Sequence, residues 1–187
     1  MKEKENILEI FVNTRKLIEK REISLLKDLS NRTIHSSSIY QDPDNITVAV
    51  IVYALSKIYE RSKYFTYKDW SFFSKSCLAE LDKAITNLEQ NRIEDFRKNL
   101  GNITKLINKL SGHLRSYIKD VFAKARITKA SRIYEHGISM EQTAKLLGVT
   151  IWDLAEYAGK TGIADVNLSI TKDIKERIKI AYNFFEK

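Results

Sequence analysis

Apolar residues recur along this chain mostly at helical spacing. Residues 7 to 29 place Ile7, Phe11, Ile18, Leu25 and Leu29 on one stripe, with polar and charged residues filling the other side. Ser30 to Gln41, which holds Ser36, Ser37 and Ser38, reads either as the frayed end of that helix or as a loop. A start signal follows at Asp42-Pro43-Asp44: proline suits the first helical position, and acids suit the positive end of the helix dipole. From Ile46 to Ile58 the β-branched run of Val48, Val50, Ile51 and Val52 reads locally as a strand. A lone strand would leave its backbone unpaired, and no good partner occurs elsewhere. The segment is therefore predicted as a helix apolar all round, the central buried element of a bundle.

Thr66 with Asp69 three residues on is a variant of the capping box. After it Trp70, Phe73, Cys77, Leu81, Ala84 and Leu88 make a continuous stripe, and Asn91 is predicted to cap the next helix. That helix carries the strongest pattern in the chain: Ile93, Phe96, Leu100, Ile103, Ile107, Leu110, Leu114, Tyr117 and Val121 form a heptad-like seam. The short turn near Gln90 makes the two helices antiparallel neighbours, an αα-hairpin within a bundle. An intermolecular coiled coil is the alternative use of the same seam.

Composition narrows the class. The chain has 187 residues, 43% of them hydrophobic and 30% charged, with 6 glycines and 1 proline. This is enough chain for one large or two small domains with a real core. The shortage of turn residues disfavours a β-sandwich or barrel. One cysteine, Cys77, excludes an intramolecular disulfide and a cysteine-rich zinc site, and points to a reducing compartment. Met1 to Glu5 alternate in charge instead of opening an apolar signal segment, and the longest apolar run, Val48 to Leu55, is far short of the roughly 20 residues a membrane span needs. The expected location is the cytoplasm, with no membrane partner.

Charge adds a candidate surface. The net charge is +8, and most of the excess lies after residue 100. Lys105 to Arg132 holds eight basic residues and one acid, Asp120. On a continuous helix Lys105, Lys109, Arg115, Lys119 and Arg126 fall within about 120° of one another, opposite the apolar seam. A solvated face ordinarily carries both signs; one sign alone points towards a polyanion.

Residues 128 to 159 hold three short helical signals in succession. The first, Lys129 to His136, ends at Gly137. The second begins at Ser139 with Gln142 in the box position, runs through Ala144 and Leu147, and stops at Gly148. The third begins at Thr150 with Asp153 in the box position and stops at Gly159. Leu147, Val149, Leu154 and Tyr157 face inward, and Ile133 and Tyr134 of the preceding helix close that small core. The run Gln142-Thr-Ala-Lys-Leu-Leu-Gly-Val-Thr150, continuing to Tyr157, resembles the helix-turn-helix of phage Cro-type repressors and related DNA-binding domains. Ile133 to Ile163 also looks like the short helix-turn-helix of some prokaryotic antitoxins. The resemblance implies that the third helix, Ile151 to Ala158, lies in a DNA major groove and presents Ile151, Trp152, Asp153, Ala155 and Glu156. Base reading usually relies on Arg, Lys, Asn or Gln. Here the helix offers two acids, an indole and small groups, with Lys160 at its end, while Thr150 and Gln142 are placed to contact phosphate.

Beyond the motif, Val166, Leu168 and Ile170 alternate with polar residues as a short extended piece. Thr171 then caps a last helix with Ile174, Ile178, Ala181 and Phe185 on one face, either docked on the body or acting as a partner-binding tail. Little points to catalysis. His35, His113 and His136 have no ligand-type partners at metal spacing, and no Gly-rich phosphate loop occurs, Gly101 and Gly112 being isolated within a helix. Helical ribonucleases of the HEPN type carry Arg and His four to six residues apart. Arg32 and His35, with Ser36 and Asp42 nearby, break that spacing and read better as a polar helix end.

The expectation is an all-α protein: a helical bundle over 1–125, then a helix-turn-helix unit with a C-terminal helix over 126–187. Its expected role is that of a DNA-binding regulator of transcription, not an enzyme, working without metal or cofactor and binding duplex DNA as a homodimer. Lys105, Lys109, Arg115, Lys119, Arg126, Gln142, Thr150, Trp152 and Lys160 are the expected contacts. The alternative is a protein-interaction module, antitoxin-like or an adaptor, with Ile151 and Trp152 as anchors for a protein partner.

Overall fold

The computed structural model describes residues 3–39, 42–125 and 137–159, and within them the protein is all-α. Eight α-helices follow one another among the described residues: α1 (Lys4–Lys20), α2 (Ile23–Ile39), α3 (Pro43–Glu60), α4 (Trp70–Glu89), α5 (Ile93–Ser111), α6 (Leu114–Lys124), α7 (Gly137–Leu147) and α8 (Ile151–Gly159). A 3-10 turn, Ser62–Thr66, joins α3 to α4. None of the described helices is long and apolar enough to cross a membrane. The expected last helix and the extended piece before it lie outside the described residues.

The β-branched segment is helical, and it is the centre of the molecule. Asp42 caps α3 by accepting from the Asn45 N–H at 2.8 Å, and Pro43 opens its first turn. From Pro43 through Ser56 every α3 side chain is buried. The helix is covered by α1, α2, α5, α6 and α7. Burial on all sides outweighs the strand preference of valine and isoleucine, because that preference is largely a matter of packing context.

Helix ends depart from expectation at several places, each through local hydrogen bonding. The stripe from residue 7 to 29 belongs to two helices. Arg21 takes the left-handed conformation (φ 56°), its N–H donating to the Ile18 carbonyl and that of Glu22 to the Leu17 carbonyl. The break shifts the register, so Leu26 is buried and Leu25 is exposed. α2 continues through the serines to Ile39, and the Thr33 and Ser37 hydroxyls donate to carbonyls of the preceding turn. Thr66 does not cap α4; its hydroxyl donates to the Lys63 carbonyl, and Asp69 precedes α4 without a side-chain cap. Asn91 ends α4 instead of starting α5. It sits at φ 59°, with the Arg92 N–H reaching the Asn87 carbonyl at 2.8 Å.

The heptad-like seam is also two helices. Gly112 lies at φ 65° and its N–H closes on the Asn108 carbonyl at 2.8 Å, which ends α5. Phe96, Leu100, Ile103 and Ile107 on one side of the break, and Leu114, Tyr117 and Val121 on the other, still face the interior. The hydrophobic pattern survives a change of helix direction because each half is amphipathic on its own.

A single hydrophobic cluster runs from Ile7 to Leu154 and takes in Met140, Ala144 and Leu147. The described part of the 126–187 segment thus shares its core with 1–125. Arg97 of α5 clamps the start of α3, its Nε and Nη2 each 2.9 Å from a carboxylate oxygen of Asp44, which is 2% exposed. The pairing raises the guanidinium pKa above its ordinary value.

Two substitutions test these features. Gly112→Ala meets no neighbouring atom, so its effect reports backbone conformation alone. It is expected to destabilise by about 1 kcal/mol in urea unfolding, whereas in an uninterrupted helix the same change would stabilise by a similar amount. Arg97→Ala strands the buried Asp44 carboxylate and is expected to cost about 3 kcal/mol. The double variant Arg97→Ala/Asp44→Asn is expected to recover part of that loss.

Candidate nucleic-acid interface

The tight link Gly148-Val149-Thr150 is set by two local devices. Gly148 adopts φ 67°, and the Gly148 and Val149 N–H groups donate to the Lys145 and Ala144 carbonyls at 3.3 and 3.1 Å, closing the end of α7. Thr150 and Asp153 then open α8 as a reciprocal capping box. The Asp153 N–H donates to the Thr150 hydroxyl oxygen at 3.0 Å, and the Asp153 carboxylate accepts from the Thr150 N–H at 3.2 Å and its hydroxyl at 2.9 Å. Leu147 and Leu154 are fully buried, and Val149 and Tyr157 pack against the core at its edge. α7 rests on α3 and α5, and α8 rests on α6 and α7.

What this leaves outside is an apolar tip. Trp152 is 84% exposed and Ile151 44% exposed, with Glu156 exposed one turn on. The Asp153 carboxylate lies 3.5 Å from the Arg115 guanidinium of α6. Hydrogen bonds from Thr150, and secondarily Arg115, hold its pKa below the usual carboxylate value. A depressed carboxylate supports the folded form above its unfolded pKa and withdraws that support as pH falls through the folded one.

The expected contact residues separate on this frame. Lys105 and Lys109 are exposed on α5, and Arg115 and Lys119 on α6, with the Gly112 break between the pairs. The single face of a continuous helix is therefore not the geometry that holds them. Lys109 sits over the Phe72 ring, 5.7 Å from its centroid. Gln142 turns inward: its side-chain carbonyl, oriented by the donors around it, accepts from the Arg97 guanidinium at 2.9 Å. That tie joins α7 to α5 and leaves Gln142 half-buried. Thr150 is exposed, with its hydroxyl engaged in the cap. Ser139 lies inside α7, which begins at Gly137, so it does not start that helix. Arg126 and Lys160, and the helix expected over Lys129 to His136 with Ile133 and Tyr134, lie outside the described residues.

Arg32, His35 and Ser36 of α2 line an open groove of about 540 Å³, where Ser36 accepts from Asn6 of α1 at 3.0 Å. Asp42, the acid expected near them, is engaged as the cap of α3. No group of three His, Cys, Asp or Glu side chains suited to a metal ion occurs among the described residues. Cys77 is buried, and burial pushes its thiol pKa up to about 12. Sequence reasoning missed Arg97, whose partners Asp44 and Gln142 are far from it along the chain. It also missed the exposed rings of Phe65, Tyr67 and Phe72, whose interleaving with lysines was there to be read. Neither a protein-family model, nor a curated protein, nor a solved structure matches this chain.

The cap makes a local prediction. In Thr150→Ala the Asp153 and Leu154 amides are expected to exchange faster, read by hydrogen exchange, while α3 amides keep their protection. In the wild type, protection of the α8 amides is expected to hold from pH 8 to 5 and to fall only on acidification below about pH 4, where a carboxylate titrates.

Proposed function

We propose that this protein is a DNA-binding regulator that presents α8 to duplex DNA and draws its affinity from the basic residues of α6 and α5. The observation that carries the reading is the exposure of Trp152, at 84%, on a short helix capped at its N-terminus. That helix packs on α6, where Arg115 and Lys119 are exposed. Arg115 balances Asp153, which lessens the repulsion an acid on this helix would exert on phosphate. Lys119, Lys105 and Lys109 make no ion pair among the described residues and supply positive charge for phosphate contacts. Trp152 and Ile151 supply apolar contact with base edges or sugars. Two copies of the chain on a two-fold site is the arrangement such a helix favours.

A second reading rests on one observation: Ile151 and Trp152 together form an apolar tip without a basic side chain on the described part of α8. Such a tip also suits a protein partner, with the two side chains as buried anchors.

Fluorescence anisotropy with labelled duplex DNA at several salt concentrations separates the two. The regulator reading expects log affinity to fall with log salt by about 0.9 for each phosphate neutralised. Lys119→Glu is expected to weaken binding to every sequence, and Trp152→Ala to change preference among sequences. Affinity insensitive to salt, or a Lys119→Glu variant that binds as the wild type does, leaves the protein-interaction reading in its place.

A further inference from the structure

A different segment of the chain combines rings and cations. Between Arg61 and Lys75 the chain carries four basic residues, Arg61, Lys63, Lys68 and Lys75, against one acid, Asp69. The segment forms the 3-10 turn and the first turns of α4. Three of its rings stand in solvent: Phe72 at 60%, Phe65 at 44% and Tyr67 at 42% exposed. Two of them, Phe65 and Tyr67, rest on half-buried or buried aromatics. Phe65 lies 4.6 Å from Trp70 between ring centroids, and Trp70 meets Tyr59 edge-on at 5.1 Å. Tyr67 meets the buried Tyr64 edge-on at 5.2 Å. Phe65 and Tyr67 are thus held in place before any ligand arrives.

Cations accompany the rings. Lys63 lies 5.2 Å from the Tyr64 ring centroid, and Lys109 of α5 approaches Phe72. Among the described residues, neither these two lysines nor Arg61, Lys68 and Lys75 form an ion pair. Five cations without ion pairs among the described residues, one seated on Phe72 and four within the same segment as the three exposed rings, complement a polyanion that also carries flat π-faces.

We propose that this segment, with Lys109 beside it, binds a single strand of nucleic acid, with bases stacking on Phe72, Phe65 and Tyr67 and phosphates meeting the segment's cations. Stacked, paired bases in a duplex hide the faces such rings would meet, so an unpaired strand is the occupant that fits. A lipid surface is the rival occupant, since rings among cations also suit a membrane interface, and the vesicle arm of the test separates the two. The inference rests on rings separate from Trp152 and α8; Lys109 is the one cation it shares with the duplex reading, and the Phe72 and Lys63/Lys68 variants leave that residue in place, so the two readings fail separately.

The test uses the full chain with fluorescein-labelled oligothymidylate and oligouridylate of about 15 nucleotides, within the range of single-strand sites. The two strands report whether the 2′-hydroxyl contributes. Phe72→Ala is expected to weaken binding about tenfold, as loss of one stacking ring does, and Phe72→Tyr to retain it. Lys63→Glu/Lys68→Glu is expected to flatten the salt dependence by about 0.7 for each lost phosphate contact. In Trp152→Phe the remaining tryptophan, Trp70, lies against Phe65, and its fluorescence is expected to quench as the oligonucleotide is added. The proposal is overturned if neither oligonucleotide binds. It is equally overturned if Phe72→Ala melts and binds like the wild type, or if phosphatidylserine vesicles take up the protein through these rings while the oligonucleotides do not bind.

Discussion

A helix with no polar face has to be covered from every direction, and α3 imposes that requirement on the rest of the chain. Its buried run, from Pro43 to Ser56, is contacted by α1, α2, α5, α6 and α7. This demand draws α7 into the same core as the N-terminal helices, through Met140, Ala144 and Leu147. The Arg97 guanidinium strengthens the arrangement at the start of α3 by holding Asp44 and Gln142 at once. A buried carboxylate is tolerable only with such a partner. α8 in turn rests on α6 and α7, so the outward position of Trp152 is inherited from the packing of α3.

Where the helices turn is decided by a few left-handed residues. Arg21, Asn91, Gly112 and Gly148 all have positive φ and each ends a helix. Gly148 was legible because a capping pattern follows it immediately. Gly112 was not, since the apolar spacing continues across it and amphipathic periodicity alone does not distinguish one helix from two of matching phase. Arg21 is less legible still, because non-glycine residues adopt this conformation at a cost that only surrounding contacts repay. The break at Gly112 matters for function. It divides the basic residues between α5, where Lys109 sits over Phe72, and α6, where Arg115 lies against Asp153 of α8.

The chemistry divides along a similar line. The Thr150–Asp153 box was readable because its groups are three residues apart and their geometry is dictated by the backbone between them. The tie of Gln142 to Arg97 was not legible because the two are distant in sequence; no local pattern distinguishes a glutamine aimed at phosphate from one aimed at a guanidinium. The rings around Phe72 were visible as residues, yet their exposure depends on the 3-10 turn and on α4 and α5 leaving that corner uncovered.

Local signals by themselves determined that the described residues are helical and, through caps and a glycine, that a tight turn separates two short helices near residue 148; the lack of a strand partner for the apolar run placed α3 at the centre. Those features follow from interactions within a few residues, or from the plain need to remove apolar surface from water. Tertiary structure decided where the seam breaks, which polar side chains are consumed by partners across the core, and which cations and rings remain in solvent. These outcomes depend on contacts between residues tens of positions apart, and the free energy of such a contact exists only once the chain has brought both partners together.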